Sequence, residues 1–150
     1  MNTRVEVTPA PFDPEARLAA FRAAAGDLGA VVSFTGVCRA DAGAGTRLTL
    51  SHYEGYTQRR MAETADRVAE RFGLAALLAV HRVGTMAPGE PIVLVATAAA
   101  HRRAAFEAAD MMMDYLKSAA PLWKKEEGPG GARWVEPTVQ DRKDRERWEA

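Results

Sequence analysis

The stretch LAALLAVHRVGTMAPGEPIVLVATAAA, residues 74–100, decides how the rest of this chain is interpreted. Two apolar runs flank the four residues APGE at positions 87–90. Proline presets one position of a turn and glycine tolerates a positive φ at another, so this pair indicates a tight turn. The two runs are therefore predicted to be sequential strands joined by that turn.

Helix signals lie on both sides of this pair of strands. Asp13-Pro14-Glu15 combines a capping residue, a proline at the first helical position and an acid in the first turn, which predicts a helix that ends at a glycine. The run TQRRMAETADRVAERF predicts a second helix over residues 57–72, with its first threonine as the cap. A third helix is predicted over residues 101–118, with its three consecutive methionines as core filling.

The remaining strand signals complete a fold class. GAVVSFTGVCR is β-rich and flanked by glycines, which predicts a buried strand, and DAGAG is predicted to be a loop. Shorter strands are predicted in TRVEVT, TRLTLSHYEGY and GARWVEPT. Hairpin-type connections dominate, so we expect an α+β protein with a largely antiparallel sheet and packed helices. We expect one domain over residues 1–150, with residues 136–150 as a charged tail that is either loose or docked.

Composition excludes several classes of protein. Lys plus Arg and Asp plus Glu each number 20, so the net charge is zero and broad binding to nucleic acid is not expected. The single cysteine, Cys38, rules out an internal disulfide framework and a cysteine zinc cage, and it fits a reducing cytoplasm. No signal-peptide pattern and no apolar run of membrane-spanning length is present, so no membrane association is expected.

Cations surround the third predicted helix. MMMDYLKSAAPLWKKEE, residues 111–127, places Lys117 at the helix end and Lys124 after a proline and a tryptophan. His101 and Arg102 lie at the helix start, where cations oppose the helix dipole unless an anion binds there. Either these side chains are solvated helix ends, or they face an anionic ligand.

Cys38 and its neighbour Arg39 form a second candidate region. A lone cysteine is most often a small buried hydrophobe, although an adjacent arginine favours the thiolate. A cysteine hydrolase built on Cys38 lacks an evident histidine and acid partner. His52 and His81 lie on predicted strands without spaced carboxylates, so a metal site is not expected.

Several segments together resemble one known family. VVSFTGVCR, HYEGYT, HRVGTMAPGEPIVLVATAAAHRRAAFEAADMMMDYLKSAAPLWKKE and RWVE are similar, in order and spacing, to the large, catalytic subunit of molybdopterin synthase. The resemblance implies an α/β-hammerhead type of fold. It also implies a sulfurtransferase that converts cyclic pyranopterin monophosphate to molybdopterin, by inserting two sulfurs to form a dithiolene. No cofactor or metal is implied at this step.

The resemblance also implies partners and site residues. The sulfur arrives as a thiocarboxylate on the Gly-Gly tail of a small ubiquitin-like subunit, and two large subunits form the centre of a heterotetramer. Lys117 matches the essential catalytic lysine of the family, and Lys124 matches the lysine that follows the tryptophan. The substrate-binding set implied by the match is Val37, Cys38, Arg39, His101, Arg102, Lys117, Lys124, Lys125 and Glu126.

Two expectations about geometry follow. We expect Arg39, His101 and Arg102 to converge with Lys117 and Lys124 on one pocket that holds the phosphate and the pterin. We also expect the Lys117 amine to be partly desolvated, which favours its neutral form, and Lys124 to be more hydrated. The alternative is a non-catalytic phosphate-binding or scaffolding module that uses the same cations.

Overall fold

The computed structural model describes residues 2–26, 28–39 and 47–149. The predicted loop DAGAG therefore lies outside the described residues. The strands are β1 (Asn2–Thr8), β2 (Ala30–Val37), β3 (Arg47–His52), β4 (Ala76–Arg82), β5 (Gly84–Met86), β6 (Pro91–Ala99), β7 (Leu122–Gly128) and β8 (Gly131–Val135). The helices are α1 (Pro14–Ala25), α2 (Tyr56–Phe72), α3 (Arg102–Ser118) and α4 (Val139–Glu146).

The strands form two four-stranded sheets rather than one. The first sheet has the order β1-β4-β6-β2, and the second has the order β5-β3-β7-β8. Only the pair β1–β4 is parallel among the described pairs; all others are antiparallel. The expected α+β class with a largely antiparallel arrangement is confirmed.

Helices cover both faces of the first sheet. Helices α2 and α3 pack on one face through side chains that include Met61, Val68 and Met112. Helix α1 packs on the other face, where Phe21 contacts the cluster around Val80. The prediction that the methionines of α3 fill the core is confirmed, since Met111 and Met112 are buried.

The start of α1 follows its local sequence. The Asp13 side chain accepts hydrogen bonds from the backbone N–H groups of Glu15 and Ala16, at 3.0 and 3.2 Å. Pro14 is the first helical residue, and Gly26 ends the helix with a φ of 80°. Such caps satisfy backbone groups that a helix end otherwise leaves unpaired.

The run at residues 74–86 was predicted to be one strand, but the structure divides it into β4 and β5. Gly84 has a φ of 91°, a conformation that L-residues rarely adopt, and it directs the chain from the first sheet into the second. Strand β4 therefore belongs to the first sheet and β5 to the second. The turn at 87–90 is confirmed, with Gly89 at a φ of 94°.

Strand β2 is an edge strand and not a buried one. Among the described strands it pairs only with β6, and Val31, Phe34 and Val37 are exposed. Gly36 permits close pairing, because a Cβ there would lie 2.7 Å from a methyl carbon of Val93. The apolar composition of β2 was interpreted as burial, but it marks an open apolar edge.

The charged tail is docked against α3. Arg147 donates to the carboxylates of Asp110 and Asp114, at 2.6 and 2.8 Å. The indole N–H of Trp148 donates to Asp114 at 2.6 Å, and its ring meets the ring of Phe72 edge to face. The tail thus adds polar contacts along the helix that carries Lys117.

Candidate active site

The direction of α3 decides which candidate residues can meet. Strand β6 leads directly into α3, which packs back along β6 and its neighbour β2. The C-terminal end of α3, with Lys117, therefore lies over the end of the sheet where Val37 pairs with Pro91. Arg39 follows that pair by two residues, so Arg39 and Lys117 lie at the same end of the molecule.

His81 marks the same end from inside the sheet. It is buried on β4 and pairs with Val93. Burial lowers the pKa of His81, the charge of Lys117 lowers it further, and a hydrogen bond with the carbonyl of Arg82 acts against both. The Nδ1 of His81 lies 2.9 Å from that carbonyl oxygen, so Nδ1 carries the hydrogen of the neutral ring. Lys117 is therefore close enough to a neutral buried imidazole for its charge to act there.

Lys124 reaches this region from the second sheet. It lies opposite Leu50 in the pairing of β3 with β7. Directly opposite residues share one face of a sheet, and the side chain of Leu50 packs in a small cluster with Cys38 and Met86. Lys124 thus lies on the face that adjoins Cys38, the residue before Arg39.

The residues that follow Lys124 alternate between the two faces of β7. Lys125 lies opposite Trp134, and its ammonium is 5.8 Å from the centre of that ring. Glu126 lies on the same face as Lys124 and accepts a hydrogen bond from Arg133 at 3.1 Å. The structure therefore brings Glu126 to the side of Lys124 and directs Lys125 to the opposite face.

The burial order of the two lysines is the reverse of the expected one. Lys117 is exposed in this chain, whereas Lys124 is half-buried. The reason is positional: Lys117 occupies the last turn of α3, beyond the core, while Lys124 lies on the inner face of a sheet. Desolvation of Lys117 by its own chain was a wrong expectation.

The expected pocket of five cations does not form within one chain. His101 and Arg102 are exposed at the N-terminal end of α3. Arg102 and Lys117 are fifteen helical positions apart, which corresponds to about 22 Å along the axis. Arg39, Lys117 and Lys124 lie at one end of the helix, and His101 and Arg102 lie at the other.

An ion pair that no sequence pattern indicated supports the segment before Arg39. The buried guanidinium of Arg82 donates to Glu90 at 2.7 Å, and the second carboxylate oxygen of Glu90 accepts from the N–H of Ala87 at 2.6 Å. Main-chain bonds then join this turn to Cys38, from Cys38 N to Glu90 O at 2.9 Å and from Gly89 N to Cys38 O at 2.8 Å. The proline and glycine located the turn, but no local pattern indicated Arg82 as its partner.

Thr57 was also misassigned. It was expected to cap α2, but the residue at that position is Gly55, with a φ of 79° and no side-chain cap. The hydroxyl of Thr57 instead bonds to the chain between Lys117 and Lys124, at the carbonyl of Pro121.

Three exposed aromatic side chains form a cluster beside the lysines of β7. The ring of Tyr53 meets that of Trp123 edge to face at 4.8 Å and that of Tyr56 at 6.4 Å. All three are substantially exposed. Trp123 alternates with Lys124 along β7, so this aromatic cluster lies on the face of β7 that carries Lys125.

Within residues 2–26, 28–39 and 47–149, no group of three or more His, Cys, Asp or Glu side chains is arranged to hold a metal ion. None of the described helices combines the length and the apolar character that crossing a membrane requires.

Comparison with known proteins gives a consistent result. Residues 7–119 match the family described as MoaE protein. The molybdopterin synthase catalytic subunit of Caulobacter vibrioides is 53% identical over 145 residues, which cover 97% of each chain. The corresponding subunit of Mesorhizobium japonicum is 47% identical over 141 residues, covering 93% of this chain and 89% of that one.

A solved structure agrees with the sequence comparisons. The molybdopterin biosynthesis MoaE protein of Burkholderia ambifaria superposes with a TM-score of 0.84 at 37% identity, covering 100% of this chain and 99% of that one. These similarities favour the catalytic subunit over a non-catalytic phosphate-binding module. The chain belongs to the MoaE family, the catalytic subunits of molybdopterin synthase.

Proposed function

We propose that this chain inserts two sulfurs into cyclic pyranopterin monophosphate to form the dithiolene of molybdopterin. The sulfur donor is the C-terminal thiocarboxylate of a small ubiquitin-like subunit, whose Gly-Gly tail reaches Lys117. Glycine suits such a tail because it has no side chain to obstruct a narrow approach. The single cysteine fits a cytoplasmic location, which is part of the proposal.

One observation carries the proposal: Arg39, Lys117 and Lys124 come from three different elements and lie at the same end of the molecule. They are spread over 86 positions of the chain, so their placement is a product of the fold. A phosphorylated substrate and a thiocarboxylate are both anionic, and guanidinium and ammonium groups suit them.

The three cations have different roles in this proposal. Arg39 holds the phosphate or a polar edge of the pterin, since its guanidinium suits bidentate contact. Lys117 acts on the reacting atoms, either by transferring a proton or by attacking the acyl carbon. Because Lys117 is exposed, the incoming tail can reach it and exclude water from it. Lys124 assists mainly through its charge.

His101 and Arg102 act through a second copy of the chain in this proposal. A single chain holds them about 22 Å from Lys117, which is too far for one small substrate to span. A homodimer at the centre of a heterotetramer can place these residues of one chain beside Lys117 of the other. The open apolar edge at β2 supports such an interface, because exposed strand edges with apolar side chains tend to be covered.

Reconstitution tests the function directly. The purified chain is mixed with cyclic pyranopterin monophosphate and a small subunit that carries the thiocarboxylate, and dithiolene formation is measured in a single turnover. The control is the same small subunit with an ordinary C-terminal carboxylate, which should yield no product. Absence of dithiolene despite tight small-subunit binding would contradict the proposed reaction.

A further inference from the structure

Three residues, Ala119 to Pro121, connect α3 to β7, and Lys117 and Lys124 lie on either side of them. The N–H groups of Ala119 and Ala120 both donate to the carbonyl of Tyr115, at 2.8 and 3.0 Å, which closes the last turn of the helix. Pro121 has no N–H, so its carbonyl is its only main-chain hydrogen-bonding group. Within the linker, the N–H of Leu122 also donates to the carbonyl of Ala120 at 2.8 Å, so the Pro121 carbonyl is the group through which another element can hold the linker.

Thr57 holds it. The Thr57 side chain is fully buried, and its hydroxyl donates to the carbonyl of Pro121 at 2.9 Å. The same oxygen accepts from the N–H of Tyr53 at 2.9 Å, so both capacities of the hydroxyl are used. The N–H of Thr57 also donates to the carbonyl of Tyr53 at 2.9 Å. The start of α2 and the linker are thus joined through one side chain.

The pairing of β3 with β7 explains why the hydrogen bonds of Thr57 affect the position of both lysines. Lys124 is placed by its position opposite Leu50, and the pairing of β3 with β7 extends as far as His52 and Leu122. The chain that continues from His52 is the segment that Thr57 joins to Pro121. One connected segment therefore fixes the strand that carries Lys124 and the exit from the helix that carries Lys117.

We propose that Thr57 is a positioning residue that sets the distance and orientation between Lys117 and Lys124. This inference rests on the proposed function for its effect on catalysis. Thr57 touches neither substrate nor tail; it acts through the carbonyl of Pro121. A displacement of about 1 Å at a reacting group can lower a rate by about 100-fold. Loss of the single hydrogen bond from Thr57 to Pro121 is therefore sufficient for a large kinetic effect.

The experiment compares Thr57→Val with Thr57→Ser. Valine keeps the shape and removes the hydroxyl, whereas serine keeps the hydroxyl and loses a methyl group. Three quantities are measured: the single-turnover rate at saturating precursor, small-subunit affinity, and amide hydrogen exchange at Leu122 and Trp123. Thr57→Val should lower the rate by about 10- to 100-fold and accelerate exchange, with little change in affinity. Thr57→Ser should restore both the rate and the exchange protection.

Thr97→Val supplies the matched control. Thr97 is equally buried, and its hydroxyl donates to the carbonyl of Ala105 at 2.7 Å, at the other end of α3. This variant should lower the melting temperature comparably while it leaves the exchange of the linker and the saturated rate unchanged. An equal loss of rate in Thr97→Val, or a normal rate in a folded Thr57→Val, would overturn the inference. If the wild-type chain forms no dithiolene, the proposed function fails and this inference with it, whereas a wild-type rate retained in Thr57→Val refutes the inference alone.

Discussion

The two ends of α3 both carry cations, but the structure holds them in different ways. At the C-terminal end, Ser118 donates to Asp114 O at 2.9 Å, and Arg145 donates to Ser118 O at 3.0 Å. At the N-terminal end, His101 makes no side-chain cap, and it is exposed together with Arg102 and Arg103. A cation is favourable at the first of these ends and unfavourable at the second. In the proposed function, the hydrogen-bonded C-terminal end carries the reacting lysine, and the exposed N-terminal end attracts an anion.

Replacement of Lys117 should give the largest effect on the single-turnover rate. It is the strongest test of the difference between the two ends of α3. Lys117→Ala and Lys117→Arg should each lower the single-turnover rate by about 100- to 10,000-fold, because arginine stays protonated and cannot transfer a proton. Small-subunit binding, measured in parallel, should stay largely intact. Lys124→Arg should keep a measurable fraction of the rate, since its role is charge. Robust turnover in Lys117→Arg would make Lys117 an electrostatic residue, like those at the other end of the helix.

Replacement of the cations that are proposed to hold the phosphate should give the next largest effect. A charge-assisted hydrogen bond contributes about 1.5–3 kcal/mol, so Arg39→Ala or Arg102→Ala should weaken precursor binding by about 10- to 100-fold. The apparent affinity is read from the precursor dependence of the single-turnover rate. An unchanged affinity in both variants would remove the phosphate contact from the proposal.

Mixed dimers show whether the two ends of α3 meet across chains. Lys117→Ala and Arg102→Ala chains are each defective, but a dimer of one of each has one site with both residues intact if the site spans two chains. Random pairing should then restore about one quarter of the wild-type rate at low precursor concentration. If each site lies within one chain, mixing restores nothing beyond the rates of the separate variants. If Arg102→Ala alone keeps the wild-type rate at low precursor concentration, Arg102 does not belong to the site.

Glu90→Gln should have a smaller effect, on stability and on the placement of Arg39. The pKa of Glu90 is lowered by the hydrogen bond from Ala87 and then by Arg82. The ionised form therefore favours folding, so its stabilisation is present above the usual value of 4.5 and is lost as the pH falls through the lower folded-state pKa. The variant should melt about 2–4 °C below the wild type at pH 7, and this gap should narrow in acid.

Glu6→Gln is the control for that variant. Glu6 pairs with Arg17 at 2.7 Å, between β1 and α1, and its pKa is also lowered, first by the hydrogen bond from Arg17. In both variants, the difference in melting temperature from the wild type should become smaller as the pH falls. Only Glu90→Gln should raise the precursor concentration needed for half-maximal rate, because only Glu90 is joined to the segment before Arg39. An equal precursor concentration for half-maximal rate in the two variants would show that the ion pair of Arg82 with Glu90 does not act on the site.

Cys38→Ala should give the smallest effect. Cys38 is buried beside Leu48, Leu50 and Met86, and in the proposed reaction the sulfur comes from the partner. Removing a small buried side chain costs stability, but the rate should stay within about twofold of the wild type at a temperature where the variant is folded. Loss of thiocarboxylate-driven turnover in a folded Cys38→Ala chain would require a sulfur relay through this thiol.

Local signals predicted the parts of the fold that local interactions determine. Asp13 and Pro14 marked the start of α1 because a cap acts on the next few residues. The bounds of α3 were also predicted to within one residue, although its first turn has no side-chain cap. By contrast, β7 includes the polar run KKEEG, and it is a strand because β3 and β8 pair with it, which no local pattern reveals.

The resemblance indicated the candidate site residues, and the structure shows how far their geometry could be predicted. The expectation of one pocket ignored the length of α3, since Arg102 and Lys117 are 15 positions apart in the sequence. The burial of β2 was overestimated because an apolar edge and an apolar centre have similar compositions. Arg82 bonds to Glu90, and Thr57 bonds to the distant Pro121. No sequence pattern indicated either partner.

The parallel pairing of β1 with β4 has a consequence for how the chain acquires its structure. Asn2 pairs with Ala76, 74 positions further along the chain. During synthesis β1 emerges early and has no strand to pair with until residues 76–82 have also emerged, while α1 and α2 can form from neighbouring residues. Closing so long a loop is slow compared with helix formation, so the first sheet is expected to set the folding rate.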